Sequence, residues 1–169
     1  MALGIALALI VLGSCEKEGV DLYEGYYSYK LSGSVTVEKT LIEAAEIPDT
    51  ETPEPVEAKL ALISENGQMN VLKKGADSLI ITMNAIGGDV LVLDACVKDN
   101  DLKISEFSRI VKVEDGSRSI SLNCTASGSG KKYDEIIILE FSYLGEGSST
   151  LYDYSIKSSS VKCVAKLNR

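Results

Sequence analysis

The 169-residue sequence has no histidine and no tryptophan, and it has only three prolines and two phenylalanines. Without histidine the chain cannot form an imidazole general base, a Ser-His-Asp or Cys-His arrangement, or a histidine-ligated metal site. Basic side chains are also scarce, because 17 Lys and Arg stand against 25 Asp and Glu, for a net charge of −8. Nucleic-acid binding needs a basic face, so we expect no nucleic-acid partner.

Other catalytic and metal-binding patterns are missing as well. Cys96, Cys124 and Cys163 have neither the number nor the short spacings of a cysteine-only zinc site. The run 99–101 (Asp-Asn-Asp) is followed by no glycine and glutamate at calcium-loop spacing, and a polar hairpin turn explains it better. No carboxylate pair has the pattern of a glycosidase. We therefore predict a protein that is not an enzyme and that holds no metal or cofactor.

The first fourteen residues are strongly apolar. Eleven of residues 1–14 are apolar and none is charged, and the apolar run is shorter than the roughly 20 residues of a membrane-spanning helix. Leu12-Gly13-Ser14-Cys15 follows, an aliphatic residue and two small residues before a cysteine. This run resembles the lipobox of bacterial lipoproteins, in which a peptidase cuts before a cysteine that carries the lipid.

This resemblance implies a signal peptide at 1–14, lipid attachment at Cys15 and a short tether over 15–21. It also implies a membrane partner through the anchor, at the outer membrane, with the periplasmic or surface face undetermined. The acidic residues after Cys15 resemble the export signals of Bacteroidetes surface lipoproteins. The alternative is a buried N-terminal helix in which Cys15 is a core thiol. No Lys or Arg precedes the apolar run, so a start upstream of Met1 stays open.

The remainder of the chain, 22–169, alternates between apolar and polar residues with the period of β-strands. Examples are 79–83, 91–97, 120–126 and 161–167, and 136–139 is a buried apolar run. Short turn signals separate these stretches, including Asn66-Gly67, a strong hairpin signal that we place between 60–63 and 69–72.

Consecutive strands joined by short turns are antiparallel, and a sheet of this size closes or splits to cover its edges. We predict an all-β domain in which an antiparallel up-and-down meander of about 8–10 strands closes into a barrel. A β-sandwich is the alternative.

The segment 43–57 interrupts this pattern. It contains six carboxylates, no basic residue and all three prolines. Like-charge repulsion and proline keep such a segment extended and solvated. We interpret it as a long hairpin loop, with an acidic lip at a barrel mouth as the alternative.

The stretch 22–29, in which Gly25 is followed by several tyrosines, resembles the opening strand of calycin-like barrels. Together with the lipobox and the meander, the chain resembles the small lipocalin-like lipoproteins of the Bacteroidetes type. The resemblance implies a calycin-like (lipocalin-like) barrel fold. The lipocalin tryptophan is absent.

Tyrosines and one carboxylate are the candidate ligand-binding residues. If the first and last strands pair, the rings at the two ends of the chain fall near one another, and they suit a platform for a ligand or the rim of a strand pair. Asp94 shares a strand face with Val90, Val92 and Cys96, so it is a polar anchor if that face is internal and a solvated acid if it is external. The candidate ligand-binding residues are Tyr27, Tyr29, Tyr152, Tyr154 and Asp94.

Three function classes remain open. The preferred hypothesis is a lipid-anchored envelope barrel that binds a small apolar ligand or a glycan without catalysis. The alternative is a filled barrel that acts as a structural or protein-interaction module. An enzyme would need a cavity that holds perturbed carboxylates such as Asp94 and Glu140. Apart from Cys15 the chain has three cysteines, so one disulfide at most is available, with Cys124 and Cys163 as an inward-facing pair or as free buried thiols. The oligomeric state is not indicated.

Overall fold

The computed structural model describes residues 18–42 and 54–169. The first element is a 3-10 helix at Gly19–Leu22. Nine strands follow, numbered β1 to β9: Gly25–Leu41, Val56–Leu62, Glu65–Lys73, Ser78–Ala85, Val90–Lys98, Asp101–Asp115, Arg118–Tyr133, Ile136–Ser148 and Tyr152–Leu167. Among these residues there is no helix with the length and apolar character needed to cross a membrane. The predicted signal peptide, Cys15 and residues 43–53 of the acidic segment lie outside the described residues.

All nine strands belong to one antiparallel sheet that closes on itself. The strand order is β2-β1-β3-β4-β5-β6-β7-β8-β9, and β1 also pairs with β9 from Tyr27 opposite Leu167 to Leu41 opposite Tyr152. This pairing joins the two ends of the meander and removes the free edges that an open sheet would expose. The predicted all-β meander barrel is confirmed, and the first and last strands close it as expected.

The predicted hairpin at Asn66-Gly67 is wrong. Both residues lie inside β3, and β2 and β3 pair with the same edge of β1 instead of with each other. The chain therefore continues past residues 63–64 along β1 without reversing. Gly67 is needed for close packing, because a Cβ there would lie 1.9 Å from the backbone oxygen of Asn84 and 2.9 Å from the Tyr29 ring. A close approach between strands, not a turn, explains this glycine.

The inward faces of the strands form one apolar core. Alternation along β4 buries Leu79, Ile81 and Met83, as the sequence predicts, and full burial of one such side chain contributes about 1.5–3 kcal/mol. β7 and β9 bury Cys124 and Cys163 in the same way. β8 lies between these two strands, and Cys96, Cys124 and Cys163 are all free thiols. Of the two alternatives for the inward cysteines, the structure shows free buried thiols.

Polar contacts close the two ends of the barrel. At the base, the Tyr23 hydroxyl donates to the backbone oxygen of Asn100 at 2.6 Å, and the Lys132 ammonium donates to the Leu22 oxygen at 2.8 Å. At the opposite end, the Lys39 ammonium and the Tyr154 hydroxyl both donate to Asp115 Oδ2, at 2.6 and 2.8 Å. The turns at 98–101 lie at the base and those at 115–118 at the opposite end, which we call the top.

Candidate functional site

An opening in the barrel wall arises because β4 and β5 are short. β4 has eight residues and β5 nine, whereas β6 to β9 have between 13 and 16. The turn between β4 and β5, at 86–89, therefore ends part of the way up the wall. Above it, β2 pairs directly with β6 through Ala61 opposite Glu114 and Leu62 opposite Val113. The barrel wall is therefore closed above the 86–89 turn by the β2–β6 pairing and closed near the base by the β5–β6 pairing, and it is open between these two pairings.

The opening widens where β5 and β6 separate. The two strands pair only from Ala95 opposite Ile104 to Lys98 opposite Asp101. The pairing of β6 with β7 shifts register between Ile104 and Phe107, where the β5–β6 pairing ends, and such a β-bulge bends its strand. Within the described part of the chain, β6 is joined to neither β5 nor β2 over residues 105–111 on this edge. We call the gap between β5, β6 and the β2–β3 junction the wall window.

The wall window leads into a cavity of about 650 Å³. This volume lies within the usual range for pockets that hold a small molecule. The lining is mixed, with apolar side chains from the hairpin tip and polar ones from β3 and β6. The apolar lining residues are Tyr29, Ile63, Met83, Ala85, Ile86, Val90, Leu91 and Ile110, and the charged ones are Glu65, Asp89, Arg109 and Lys112.

An ion pair forms the polar part of the cavity wall. Arg109 Nη2 donates to Glu65 Oε1, with side chains 14% and 29% exposed. Arg109 lies on β6 between the half-buried Phe107 and the buried Val111, so strand alternation directs its side chain inward. Glu65 takes the same inward orientation on β3 as the buried Met69. The pair thus comes from two strands on opposite sides of the wall window.

Two tyrosines accompany this pair. Burial, and then the Glu65 carboxylate, raise the pKa of Tyr29 to about 12, so its hydroxyl stays a donor at neutral pH. Burial likewise raises the pKa of Tyr143 to about 12, although the neighbouring Arg109 charge lowers it. The Tyr143 hydroxyl is buried and makes no well-aligned hydrogen bond among the described residues, although the Arg109 guanidinium lies close enough to interact with it.

The rim of the wall window is apolar and exposed. Ile86 at the hairpin tip is 84% exposed, and Val90, Val92 and Ile110 are each at least 60% exposed. Ile63 adds a fifth apolar side chain from the β2–β3 junction. Large aliphatic side chains clustered around one opening are a feature of binding surfaces, whereas scattered ones are not.

The structure separates the tyrosines that the sequence suggested would cluster. β1 and β9 are antiparallel, so Tyr27 and Tyr29 lie opposite the end of β9, while Tyr154 lies opposite Lys39. The expectation that these rings meet is wrong for this reason. Tyr29 is the member of the set that lines the cavity.

Tyr27 and Tyr154 are buried and their hydroxyls are engaged by the protein. Tyr27 donates to the Tyr23 backbone oxygen at 2.8 Å, and Tyr154 donates to Asp115. Tyr152 is half-buried at the top, where the Lys39 ammonium lies 4.5 Å from its ring centroid, a cation–π contact. These residues hold the two ends of the barrel together.

Asp94 lies on the outer face of β5, where the Lys74 ammonium is 2.6 Å from its carboxylate. Of the two alternatives from the sequence, the structure shows the solvated acid. Glu140 is also exposed, 3.8 Å from Lys162. The two carboxylates share no cavity. Among residues 18–42 and 54–169, no group of three or more Cys, Asp or Glu side chains is arranged to hold a metal.

Arg109 and Glu65 are the site residues that the sequence reasoning missed. The signal for Arg109 was present, because Phe107, Val111 and Val113 alternate with polar residues and Arg109 falls on their face. Glu65 gave a weaker signal, since its strand was interpreted as starting after the Asn-Gly pair. The short β4–β5 hairpin, which creates the cavity, has no signature in the sequence beyond its length.

Comparisons with known proteins add little to this description. No family model matches the chain, and no curated protein matches it. Among the solved structures that it resembles is "Structure of EF1p2_mFAP2b bound to DFHBI", at 10% identity. The match covers 86% of this chain and 93% of that chain, with a TM-score of 0.44. A similarity at this level does not indicate what this chain binds.

Proposed function

We propose that this protein is a non-catalytic binding barrel that takes a small, largely apolar molecule through the wall window. The observation that carries the proposal is the 650 Å³ cavity with apolar lining and an inward ion pair. Small-molecule sites combine apolar side chains with a few placed polar groups in this way. The exposed aliphatic rim supplies the apolar surface that a ligand would cover on entry.

The proposal includes a lipid anchor at Cys15 that holds the barrel at the outer membrane, as in calycin-like lipoproteins. The support is the lipobox, Leu12-Gly13-Ser14-Cys15. The 3-10 helix packs at the base, and the four Cα–Cα steps from Cys15 to Gly19 span at most about 14 Å. An anchored barrel would then stand with its base toward the membrane and its wall window to the side.

The ligand-binding claim is tested by blocking the cavity. Ala85 is a half-buried lining residue, so Ala85→Trp would place an indole in the cavity. Asn84 is exposed on the other face of the same strand, and Asn84→Trp is the matched control. Native mass spectrometry after exposure to an envelope lipid and glycan extract should show a discrete, saturable added mass on the wild type and the control.

We expect that added mass to be lost from Ala85→Trp. A bare mass on the wild type under every condition would contradict the ligand-binding proposal. Retention of the adduct by Ala85→Trp would place the ligand elsewhere in the barrel.

The anchor is tested separately. In cells of a Gram-negative host, Cys15→Ala should move the protein from the membrane fraction to the soluble fraction, because this cysteine would carry the lipid. Stable anchoring needs two or more acyl chains, and the variant would have no site for them. The N-terminal peptide of the wild type should carry a lipid mass. Unchanged partitioning, with no lipid mass on that peptide, would contradict the lipoprotein proposal.

A second candidate is a protein-interaction module, and the apolar rim favours it. Ile86, Val90 and Ile110 could pack against a protein as well as against a ligand. The native mass measurement separates the two candidates, because a protein partner leaves the cavity empty and is not removed by Ala85→Trp.

A further inference from the structure

One side of the wall window is a strand edge whose backbone groups have no neighbouring strand. The Val97 amide donates to the backbone oxygen of Asp77, just before β4, at 2.9 Å. Backbone groups of successive residues point to opposite sides of a strand, so those of Val90, Val92 and Asp94 point into the window. The pairing of β5 with β6 begins only beyond these residues. Their amides and carbonyls therefore meet no strand of the described chain.

The facing edge of β6 is also unpaired, but it is protected. The Lys112 backbone oxygen accepts a hydrogen bond from the Ile63 amide at 2.9 Å. By the same alternation, the backbone groups of Ser108 and Ile110 point into the window. A β-bulge lies below them and the charged Arg109 side chain points inward, and natural edges use both features to avoid pairing with other chains.

The edge of β5 is not protected in this way over residues 90–93, all of which the structure describes. β5 pairs with β4 in continuous register, and the run 90–93 (Val-Leu-Val-Leu) contains no proline and no charge. Asp94 is the first charged residue along β5, and its carboxylate is held by Lys74 on the outer face. An unprotected apolar edge of this kind is a template for a further strand.

The side chains beside this edge indicate the composition of the segment that fits it. Val90 and Val92 are 63% and 60% exposed on the outer face, and Ile110 across the window is 60% exposed. Leu91 and Met83 line the cavity on the inner face. A strand in the window would have apolar neighbours on both faces, and strands covered on both faces are rich in Val, Ile and Leu.

The frame of the wall window restricts the occupant to a flexible segment. The β2–β6 pairing closes the window above and the β5–β6 pairing closes it below. A strand held in the barrel wall of a second copy could not enter this closed frame, whereas a tail or a loop could. The open edge over 90–94 is five residues long, about 16 Å at the rise of a β-strand.

We propose that the edge of β5 over 90–94 binds an extended, uncharged peptide segment of a partner protein by strand addition. The segment exchanges backbone hydrogen bonds with Val90, Val92 and Asp94, and its Val- and Ile-rich side chains cover the exposed rim. In strand addition the main-chain hydrogen bonds give affinity and alternate side chains give specificity. This inference goes beyond the proposed small-molecule function, and a bound segment would cover the entrance to the cavity.

The test uses the intact protein and a synthetic peptide, acetyl-Lys-Thr-Val-Ile-Val-Thr-Lys-amide, whose lysines keep it soluble. Amide hydrogen exchange of 15N-labelled protein reports which amides are hydrogen-bonded. In the free protein, the amides of Val92 and Asp94 should exchange much faster than that of Leu93, which points to β4. Saturating peptide should slow the exchange of Val92 and Asp94 by about tenfold or more.

Matched changes remove backbone donors from either side of the interface. Val92→Pro deletes an N–H that faces the window and not β4, a position at which strands tolerate proline. It should weaken peptide binding in titration calorimetry by about tenfold, whereas Val92→Thr, which keeps the N–H and the branched shape, should stay within about threefold. The peptide N-methylated at its Val and Ile residues should bind at least about tenfold more weakly to wild type. This peptide gives the answer if Val92→Pro does not fold.

Each contrary outcome overturns the inference. Failure of the peptide to bind, or slow exchange of Val92 and Asp94 in the free protein, would overturn strand addition. Binding that survives both Val92→Pro and N-methylation would also overturn it, because the rim would then only bury apolar side chains. The native mass measurement with Ala85→Trp uses no peptide, so either proposal can fail while the other stands.

Discussion

Two buried tyrosines with similar environments should respond in opposite directions to the loss of their hydroxyls. Tyr27 and Tyr143 are 0% and 1% exposed, and burial raises the pKa of each to about 12. Tyr27 donates to the Tyr23 backbone oxygen at 2.8 Å and accepts from the Lys132 ammonium at 3.0 Å. The Tyr143 hydroxyl makes no well-aligned hydrogen bond among the described residues and has only the nearby Arg109 guanidinium beside it.

The magnitudes follow from hydrogen-bond energetics. An unsatisfied buried polar group costs about 1–3 kcal/mol, so Tyr143→Phe should raise the free energy of unfolding, by about 1 kcal/mol after the attraction of nearby Arg109 is discounted. Tyr27→Phe removes one partner from each of two hydrogen bonds and should lower it by about 1–3 kcal/mol. For a chain of this size, 1 kcal/mol corresponds to roughly 2–4 °C in Tm.

The assay is urea denaturation followed by far-UV circular dichroism, with thermal melts in parallel. Each substitution deletes one oxygen and keeps the ring, so packing changes little and the two variants control for one another. A loss of stability in Tyr143→Phe equal to that in Tyr27→Phe would refute the reasoning, because it would mean that the Tyr143 hydroxyl is satisfied in solution.

Three other predictions concern the sheet, the top and the thiols. Gly67→Ala should lower the free energy of unfolding by more than about 2 kcal/mol in the same denaturation assay, because the alanine Cβ would lie 1.9 Å from the backbone oxygen of Asn84 in β4. A change below about 0.5 kcal/mol would contradict the close approach of the two strands. The hydrogen bond from Lys39 is the main cause that lowers the pKa of the Asp115 carboxyl in the folded protein. The contribution of Asp115 to stability is therefore complete above the unfolded pKa near 4, and it is lost as the pH falls through the lower pKa of the folded state. The urea midpoint of Asp115→Asn should therefore lie below that of wild type at pH 6 and approach it near pH 2, whereas a constant difference would contradict the linkage. Burial raises the pKa of Cys124 to about 11 and of Cys163 to about 12, whereas Cys96 is exposed. A maleimide at pH 7.5 should therefore label Cys96 first, which peptide mass mapping would show. Equal labelling of the three cysteines would contradict the burial of Cys124 and Cys163.

The strands could be predicted because alternation is a local property. Each residue of 79–83 or 161–167 shows its face through its immediate neighbours, and the closing pair of strands followed from their being the two ends of a meander. The Asn66-Gly67 error arose because a turn dipeptide was interpreted without the long-range pairing that kept the chain straight. Gly67 packs against a strand that comes later in the sequence, and a local pattern contains no information about that contact.

The candidate site was harder to predict for a related reason. The cavity exists because β4 and β5 are too short to fill their part of the barrel wall, and a sequence pattern does not show a gap of this kind. Tyr29 was predicted as a ligand-binding residue and does line the cavity, whereas Tyr152 and Tyr154 lie at the top. Arg109 was visible through strand alternation, but its partner Glu65 depended on the position of β3, which the Asn-Gly interpretation had misplaced.

Entry through the wall window, and not through either end of the barrel, is tested most directly by amide chemical shifts. We would titrate 15N-labelled protein with decan-1-ol, a neutral amphipathic probe, and map the shifts along the sequence. We expect the largest changes at the hairpin tip, 86–91, and along β6 at 108–112, with little change at the turns 98–101 and 115–118. Shifts concentrated at either of those end turns, or no saturable shift at all, would contradict the assignment of the wall window as the binding site.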